Sequence, residues 1–592
     1  MVKRMLLLTF RSIEEREVYN TMRLGSKLYV ADFETTTEPF FNKYGYTRVW
    51  ASCAVDINTA KRVHLGESIE DFFKWMQNQH GASIWFHNLK FDGEFIVYHM
   101  LKMGYVHTKF VDQQINSYNS IIDTNGQWYM LELNIEGSIV KIYDSLKKLP
   151  FKVSEIAQML HLEEQKLSID YDLERPEGYH ITPEEEKYID NDCIIVAKAL
   201  KSLFDKGLRQ MTLSGDAMSY YKKLLGGRMY EYLYPAIPID WDNDIRLSYK
   251  GGFVYCNPQF AGQIVEGCSF DVNSLYPSVL YNKMLPIGYP VKFKGKYKDD
   301  QKYPLYIQCL QVEFQVKKGY LPTIQIKHSR FNDTEYLKAS DGVVVLWLSK
   351  PDLELFLEHY DILFIKYLEG YKFKQSNQLF KKYIDYWYNE KNEGKRTGDP
   401  TRTLHAKLML NSLYGRYGMG TCRISKLPYI ADEDEVVHYK PDEPEYVAPQ
   451  YTALASFVTA YARAQTIRTS QLCYDAGVYC YSDTDSVHIK GYTAPAGMDV
   501  DDMRLGAWKN EGNFVGKFLR TKTYIKLKEK HGEPYIDITC AGMPSNIKEA
   551  IKKEQDPFEC FKVGMVYCGK LVPKRVKGGV ILVNREFTLQ AI

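Results

Sequence analysis

Val478-Tyr-Cys-Tyr-Ser-Asp-Thr-Asp-Ser-Val-His-Ile489 places two aspartates, Asp483 and Asp485, between two short runs of apolar and aromatic residues. The pattern predicts a β-hairpin with both carboxylates at its tip, on one face, since residues two apart on an extended strand point the same way. Crowded carboxylates repel each other, and a hard divalent cation such as Mg²⁺ relieves that repulsion through oxygen ligands. An acidic, solvated turn explains these residues equally well, because Asp and Thr are ordinary turn residues.

A third carboxylate comes from Ser269-Phe-Asp-Val-Asn-Ser-Leu-Tyr-Pro-Ser278, which predicts a strand ending at Asp271 and a turn into a helix. Pro277 suits the first position of that helix, where free backbone amides would face a triphosphate. Tyr276 would lie under the sugar of an incoming nucleotide; the alternative is a core tyrosine. Asp271 would complete a metal site with Asp483 and Asp485.

The segment 403–415, TLHAKLMLNSLYG, predicts a helix that ends at a glycine. Lys407, Asn411 and Tyr414 stand at i, i+4 and i+7 and form one stripe. The opposite side should be buried, and it carries Ala406, Met409, Leu410 and Leu413. A lysine on such a stripe can neutralise a triphosphate and a tyrosine can stack on a base pair, although polar stripes are usually only solvated.

A second group of carboxylates lies near the N-terminus, on three predicted elements. A strand ends in Asp32 and Glu34, Asn88 and Asp92 are one helical turn apart, and Tyr188 and Asp192 share a helix with a capping box, Thr182 to Glu185. Four converging carboxylates favour a site with two metal ions, which can activate water and stabilise the leaving oxygen of a phosphodiester. Tyr188 would hold the attacking water. Each of these sequence motifs, taken alone, more often has only a structural role.

Weaker signals predict contacts with nucleic acid. Lys522 and Tyr524 alternate on a predicted strand and would grip a primer end, and the glycines of Tyr249-Lys-Gly-Gly252 allow close approach of a strand. From Arg520 onward the chain has 14 Lys and Arg against 8 Asp and Glu, whereas the whole chain has a net charge of only +2. This basic end fits a polyanion contact, or a merely solvated surface.

Composition excludes several classes of protein. The 592 residues predict several domains, and 45% hydrophobic with 25% charged residues is ordinary for a globular chain. The 11 cysteines form no Cys-x-x-Cys pair, which argues against a zinc site or a secreted disulfide scaffold. No apolar run reaches membrane-spanning length. We expect a soluble intracellular protein.

The order of these motifs resembles that of family B DNA polymerases, and from about residue 27 onward the chain is similar to their protein-primed branch, found in small tailed phages of Bacillus. Ser145-Leu-Lys-Lys-Leu-Pro150, Tyr249-Lys-Gly-Gly252 and Cys540-Ala-Gly-Met543 are matches specific to that branch. The resemblance implies an α/β multidomain fold: a ribonuclease H-like 3′–5′ exonuclease domain and a right-hand polymerase (palm, fingers, thumb) with two palm insertions.

The implied domains are an N-terminal extension (1–26), the exonuclease domain (27–212), the first part of the palm (213–282), the first palm insertion (283–381), the fingers (382–417), the second palm insertion (418–450), the second part of the palm (451–540) and the thumb (541–592). The first insertion would dock a terminal protein and shape the template path. The second would encircle the duplex and support strand displacement. Its acidic run, Asp432-Glu-Asp-Glu435, is interpreted as a solvated loop.

The resemblance also implies roles for individual residues. Those at the catalytic centres are Asp271, Asp483, Asp485, Asp32, Glu34, Asp92, Asp192, Tyr188 and Lys166. The metal ligands are Asp271, Val272, Asp485, Asp32, Glu34 and Asp192. The residues implied to bind the nucleotide are Val272, Tyr276, Lys407, Asn411 and Tyr414. The residues implied to bind DNA are Trp85, His87, Asn88, Phe91, Ser145, Leu146, Tyr249, Gly251, Gly252, Lys522 and Tyr524.

The implied cofactor is Mg²⁺, two ions per site, which Mn²⁺ would replace. The implied partners are primer-template and single-stranded DNA, dNTPs and a terminal protein that supplies the first hydroxyl. We expect a monomer in the cytoplasm of a phage-infected bacterium. Two alternatives stay open: a self-priming or plasmid-encoded polymerase, and a DNA-binding exonuclease without polymerase activity.

Overall fold

Three β-sheets and the helices that pack on them organise the chain. The computed structural model describes residues 27–325, 336–530 and 532–590, so the predicted N-terminal extension lies outside the described residues. Among the described residues, no helix is long and apolar enough to cross a membrane.

An eight-stranded sheet forms the N-terminal part of the described chain, in the order β3-β2-β1-β4-β8-β7-β6-β5. Its strands are β1 (Leu28–Thr35), β2 (Val49–Asp56), β3 (Lys61–Gly66), β4 (Ser83–Phe86), β5 (Val106–His107), β6 (Ser117–Ile122), β7 (Trp128–Ile135) and β8 (Ser138–Asp144). The helices of this part are α1 (Glu38–Tyr44), α2 (Ile69–Met76), α3 (Leu89–Lys102), α4 (Val153–Met159) and α5 (Pro183–Asp205), with 3₁₀ turns at Val111–Gln113 and Ser145–Lys147.

Helix α5 begins where its capping signals predict. Thr182 Oγ1 accepts a hydrogen bond from the Glu185 amide at 3.3 Å, and Glu185 Oε2 accepts one from the Thr182 amide at 3.0 Å. Pro183 occupies the first helical turn, where its missing N–H costs nothing. The buried face of α5 packs on β1 and β2, which brings Tyr188 and Asp192 to the end of β1.

The next segments of the chain add helices and two further sheets. In chain order they are α6 (Leu213–Leu225), α7 (Gly227–Leu233), α8 (Ile239–Arg246), β9 (Val254–Cys256), β10 (Ile264–Val272), α9 (Leu275–Asn282), β11 (Leu285–Lys294), β12 (Leu305–Val316), β13 (Val344–Ser349), α10 (Lys350–His359) and β14 (Tyr360–Ser376). Strands β11-β14-β12-β13 form one antiparallel sheet, and they all fall inside the predicted first insertion.

Two helices, α11 (Lys381–Thr397) and α12 (Pro400–Ser412), form a hairpin in the predicted fingers. The buried side predicted for the second helix is confirmed, since Ala406, Met409, Leu410 and Leu413 are each at most 1% exposed. The predicted end at a glycine is wrong. The helix stops at Ser412 and passes into a 3₁₀ turn, Tyr414–Gly418, in which Tyr417 is fully buried and turns the chain inward.

The predicted second insertion holds two small ribbons, β15 (Cys422–Arg423) with β18 (Glu445–Tyr446), and β16 (Lys426–Ile430) with β17 (Val437–Pro441). Helix α13 (Thr452–Asp475) follows, and then β19 (Tyr479–Asp483), β20 (Ser486–Lys490), β21 (Trp508–Arg520), β22 (Thr523–Lys530) and β23 (Glu533–Cys540). The last five strands join β9 and β10 in a sheet with the order β23-β22-β21-β10-β20-β19-β9. The end of the described chain is α14 (Ser545–Lys552), α15 (Pro557–Cys560) and a hairpin of β24 (Val566–Val576) and β25 (Gly579–Thr588).

Candidate active sites

The predicted hairpin brings Asp271 and Asp485 together at the centre of the seven-stranded sheet. Strand β10 pairs with β20 so that Asp271 lies opposite Ser486, and the Val272 amide donates to the Asp485 carbonyl at 2.8 Å. Burial, reinforced by the charge of Asp485, raises the pKa of Asp271 to about 7. Burial also raises the pKa of Asp485. Two half-buried carboxylates with raised pKa values favour a cation between them.

Asp483 and Asp485 do not share a face of an extended strand, so that part of the prediction is wrong. Thr484 between them adopts a φ of +59°, which places Asp485 in the turn rather than on β19. The Thr484 amide donates to Phe253 O at 2.7 Å, and its carbonyl accepts from Thr466 Oγ1 at 2.7 Å, so the turn is held from both sides. Asp483 pairs instead with Lys522 Nζ at 2.5 Å.

Aromatic and basic side chains flank the Asp271–Asp485 pair. The Tyr276 and Tyr414 rings stack with centroids 4.1 Å apart, and Lys407 and Asn411 are exposed on the same side of α12. Helix α9 begins at Leu275, two residues before the position predicted from Pro277, and Ser274 is its N-cap with a φ of +55°. Helix α9 still begins directly after β10, the strand that carries Asp271.

Four carboxylates form the second site, around the C-terminal end of β1 in the eight-stranded sheet. Asp32 and Glu34 lie on β1, Asp92 on α3 and Asp192 on α5. Burial, together with the charge of Asp192, raises the pKa of Asp32 to about 7. Burial also raises the pKa values of Glu34 and Asp92 well above their usual range, and the charge of Asp32 adds to each. These groups are therefore near enough to influence one another's ionisation.

A lysine and two tyrosines complete this second site. Lys166 Nζ contacts Asp192 Oδ2 and lies 3.4 Å from the Tyr188 hydroxyl, which also hydrogen-bonds the Tyr171 hydroxyl at 2.5 Å. Burial, with Glu34 nearby, raises the pKa of Tyr188, so it stays a neutral donor. Asp32, Lys166 and Asp192 line a cavity of about 150 Å³ together with His87. The cavity has room for several water molecules.

The chemistry of both groups of side chains fits Mg²⁺. Asp192 Oδ1 is buried and accepts no hydrogen bond from the described residues, which suits an oxygen ligand of a cation. Within the described part of the chain, no three Asp, Glu, His or Cys side chains lie close enough to hold a metal ion alone. Mg²⁺ is usually held by one or two carboxylates plus substrate phosphates, and that is the number supplied by Asp271 with Asp485.

Comparison with known proteins decides what these two sites belong to. A sequence profile described as DNA polymerase type B, organellar and viral, matches residues 75–493. The chain belongs to this family of DNA polymerases.

The similarity extends beyond the profile to nearly the whole chain. The DNA polymerase of Bacillus phage phi29 is 42% identical over 95% of this chain and 99% of its own length, and that of Streptococcus phage Cp-1 is 31% identical over 95% and 98%. The structure of phi29 DNA polymerase complexed with primer-template DNA superposes with a TM-score of 0.88 at 40% identity, covering 95% of this chain and all of that one. The predicted fold class, a ribonuclease H-like domain with a right-hand polymerase, is confirmed.

Two predicted DNA contacts of this polymerase are contradicted by burial. The Trp85 indole is fully buried and packs against Tyr143 at 4.8 Å between centroids, because strand β4 lies in the middle of its sheet. Ser145 is also fully buried, and its hydroxyl bonds His87 Nδ1 at 2.8 Å. Neither side chain is available to a DNA strand. Asn88 is exposed, and His87, Phe91 and Leu146 are half-buried.

The prediction that Lys522 and Tyr524 share a strand face is wrong. Lys522 has a φ of +55° and lies in the turn before β22, where it is exposed and contacts Asp483. Tyr524 lies on β22 and packs on the Tyr481 ring at 5.2 Å. Each residue still lies beside the polymerase carboxylates, but through different elements.

The segment from Tyr249 to Gly252 packs against the catalytic turn. Arg463 of α13 donates to the carbonyls of Lys250 and Gly251 at 2.7 and 2.8 Å. A Cβ at Gly252 would lie 2.7 Å from the Thr484 side chain. Close packing by protein therefore explains Gly252 without a DNA contact.

Sequence patterns did not reveal Lys391 of α11. Its Nζ hydrogen-bonds Ser274 Oγ at 3.2 Å, at the start of α9 and near Lys407. Burial and the neighbouring cations Lys395, Lys407 and Lys509 lower its pKa to about 8. Lys509, opposite Asp271 on β21, was missed as well. Both lie on elements whose tertiary contacts, rather than local motifs, bring them to the site.

Proposed function

We propose that this polymerase extends DNA primers on a DNA template and removes mispaired 3′ ends at its second carboxylate site. The observation that carries the proposal is the presence of two separate groups of carboxylates with raised pKa values, one beside the seven-stranded sheet and one beside the eight-stranded sheet. One group suits nucleotidyl transfer and the other phosphodiester hydrolysis. The alternative, an exonuclease that only binds DNA through its C-terminal part, does not account for the half-buried pair Asp271 and Asp485 or for the family.

At the polymerase site, Asp271 and Asp485 would hold Mg²⁺, or Mn²⁺ in its place, with Val272 beside them. Two such ions would lower the pKa of a primer hydroxyl and stabilise a leaving pyrophosphate. Lys407 and Lys391 place positive charge at the start of α9, where the triphosphate would bind. The stacked Tyr276 and Tyr414 form an aromatic floor for the nucleotide, with Asn411 beside it. Phi29 DNA polymerase has been solved with primer-template DNA and incoming nucleotides.

At the exonuclease site, Asp32, Glu34 and Asp192 would hold the metal ions, with Asp92 in support. Tyr188, kept neutral by burial, would orient a water molecule, and Lys166 would offset the negative charge of Asp192. Asn88, Phe91 and Leu146 would contact single-stranded DNA, and His87 would lie next to these three side chains. Stacking on an aromatic ring is worth about 1–3 kcal/mol per base.

We also propose that synthesis begins on a hydroxyl of a terminal protein and that strand displacement copies a linear phage-type genome in the infected bacterial cell, with a monomeric enzyme. This part rests on the resemblance to the protein-primed branch and on similarity to the phage polymerases. Activity on a template that has neither a primer nor a terminal protein would favour the self-priming alternative.

The central test compares Asp485→Asn with Asp32→Asn on two substrates. We expect Asp485→Asn to reduce primer extension at least about 100-fold, because it removes charge stabilisation at the reacting phosphates, while single-strand degradation stays within about twofold. Asp32→Asn should reduce single-strand degradation and leave primer extension within about twofold. Gel analysis of labelled primers with Mg²⁺ and dNTPs, and of labelled single strands without dNTPs, measures both. Normal extension by Asp485→Asn would refute the polymerase site, and normal degradation by Asp32→Asn would refute the exonuclease site.

A further inference from the structure

The helical hairpin of α11 and α12 contacts the C-terminal end of α5, the helix whose N-terminal half carries Tyr188 and Asp192 of the second carboxylate site. Lys206 directly follows the last residue of α5, Glu390 lies on α11, and Arg402 lies on α12. Five side chains make the connection, and we call this group the anchor: Ser202, Lys206, Glu390, Arg402 and His405.

Glu390 is the carboxylate at the centre of the anchor. Its Oε1 accepts a hydrogen bond from Arg402 Nη2 at 2.5 Å, which ties α11 to α12, and its Oε2 lies 3.7 Å from Lys206 Nζ of the exonuclease domain. The hydrogen bond from Arg402 lowers the pKa of Glu390, so the carboxylate stays ionised. The Glu390 side chain is 18% exposed, so dissolved salt screens these pairs only in part. The next residue on α11 is Lys391.

His405 makes the second contact of the anchor. It is 1% exposed, and its Nε2 lies 3.0 Å from Ser202 Oγ. The Ser202 hydroxyl already donates to Ala199 O at 2.7 Å, so the histidine must be the donor and carries its proton on Nε2. Burial lowers the pKa of His405 to about 4, so the ring is neutral near pH 7. This buried hydrogen bond lies two residues before Lys407.

The hairpin is packed closely enough that a shift at the anchor would reach the lysines on it. A Cβ at Gly394 of α11 would lie 2.5 Å from Thr403 Oγ1 of α12, so the two helices leave no room between them there. The Tyr383 hydroxyl of α11 donates to Met409 O of α12 at 2.8 Å. Because packed elements transmit small displacements, the two helices should move as one unit.

We propose that the anchor sets the affinity of the polymerase site for nucleotides, because it holds Lys391 and Lys407 where they would meet the triphosphate. Glu390 and His405 are positioning residues: each acts through the lysine near it and neither touches the nucleotide. Lys206 makes the exonuclease domain a participant in nucleotide binding, although roughly 21 Å of α5 separates it from Asp192. The inference rests on the proposed polymerase function.

The first test measures KM and kcat for the addition of one nucleotide to a primed template at saturating Mg²⁺. Glu390→Gln should raise the KM for dNTP roughly threefold to tenfold, the range for two partly exposed ion pairs lost together, while kcat stays within about twofold. A loosened hairpin presents its lysines correctly in a smaller fraction of molecules, which weakens apparent binding without changing the chemical step.

Glu393→Gln is the matched control for this test. Glu393 lies one turn further along α11 and pairs with Arg396 of the same helix, so it has no part in the anchor. Its KM and kcat should equal those of the wild type. Single-strand degradation should stay within about twofold in both variants, because the second carboxylate site lies toward the other end of α5.

A double-mutant cycle tests the link to the exonuclease domain. Lys206→Met should raise the KM for dNTP about twofold, and combining it with Glu390→Gln should give a KM no higher than Glu390→Gln alone, since the ammonium group acts through that carboxylate. Lys201→Met is the control on α5, because Lys201 pairs with Asp205 of the same helix. It should leave the KM unchanged.

The histidine contact provides an independent test. Ser202→Ala leaves the His405 Nε2–H buried without an acceptor, and it should raise the KM for dNTP about threefold. Adding His405→Leu should restore most of the affinity, because an apolar pair needs no hydrogen bond. Hydrogen exchange of the α11 and α12 amides, measured by mass spectrometry, should be faster in Ser202→Ala and Glu390→Gln than in the wild type, Glu393→Gln or the restored double variant.

The outcomes of these experiments are distinguishable. A wild-type KM in Glu390→Gln, an equal rise in Glu393→Gln, a loss of kcat without a change in KM, independent effects of Lys206→Met and Glu390→Gln, or no recovery with His405→Leu would each overturn the anchor. A wild-type enzyme that adds no nucleotide at all would overturn the proposed function instead.

Discussion

Lys391 shows how a single half-buried cation can tune nucleotide binding. Its ammonium group lies among Lys395, Lys407 and Lys509, and burial together with their charges lowers its pKa to about 8. The group is therefore half neutral at pH 8 when no nucleotide is bound. A bound triphosphate supplies the missing negative charge and favours the protonated form.

From this we predict that nucleotide binding by the wild type weakens as the pH rises through 8. The pKa of the free enzyme is lowered and binding raises it again, so binding takes up a proton above pH 8. The KM for dNTP should rise about tenfold between pH 7 and pH 9. In Lys391→Arg it should stay nearly constant, because arginine keeps its charge. Steady-state extension at saturating metal measures both. The prediction fails if the two proteins show the same pH profile.

The turn between β19 and β20 is the element on which the polymerase site depends. Its strained residue, Thr484, is packed against Gly252 of the segment before β9. Only a residue without a Cβ leaves room there, since a Cβ would lie 2.7 Å from the Thr484 side chain. Asp485, the next residue, depends on this contact for its position.

Gly252→Ala is therefore expected to displace the turn and reduce primer extension by roughly 100-fold, the cost of a shift of about 1 Å at a reacting centre. Single-strand degradation should stay within about twofold, because the carboxylates of the second site lie on β1 and on two helices beside the eight-stranded sheet. Gly227→Ala serves as the control, since a Cβ at Gly227 meets no atom within 4 Å. Equal extension rates in the two variants would contradict this role of Gly252.

Local signals in the sequence were enough for some elements and not for others. The cap of α5, the buried side of α12 and the strands that carry Asp32, Asp271 and Asp483 could be predicted, because capping and periodicity are properties of short segments. The left-handed residues Thr484 and Lys522 could not, since tertiary hydrogen bonds rather than residue type favour that conformation there. Trp85 was misread for a related reason: strand β4 has neighbours on both sides that only the sheet order reveals.

At the scale of the whole molecule, the interface between the exonuclease domain and the palm contains a fully buried ion pair. Lys148 and Asp216 side chains are 0% and 1% exposed, and Lys148 Nζ also donates to Gln210 O at 2.8 Å. The Gln210 amide in turn donates to Asp216 Oδ1 at 2.7 Å. The pair connects the 3₁₀ turn after β8 with the first helix of the palm.

Lys148→Met should destabilise the folded protein by about 3–5 kcal/mol, because it leaves Asp216 buried without its partner. Adding Asp216→Leu should recover most of the loss, since a buried apolar pair costs no desolvation of charge. Lys201→Met is the control: it breaks a surface pair with Asp205 and should cost at most about 1 kcal/mol. Urea unfolding followed by circular dichroism measures all three. A cost in Lys148→Met no larger than that in Lys201→Met would contradict the prediction.

The tip of the β24–β25 hairpin has a consequence for how the protein is made. Gly578 and Gly579 dock on Thr47 and Phe95, residues that leave the ribosome roughly 500 residues earlier. The exonuclease domain is complete once α5 ends at Asp205, so at about 5–20 residues per second it waits roughly 20 to 75 seconds for residue 578 with this surface uncovered. A nascent chain therefore carries an apolar docking site without its occupant for most of its synthesis, and in that interval chaperones or neighbouring nascent chains compete with the thumb for it.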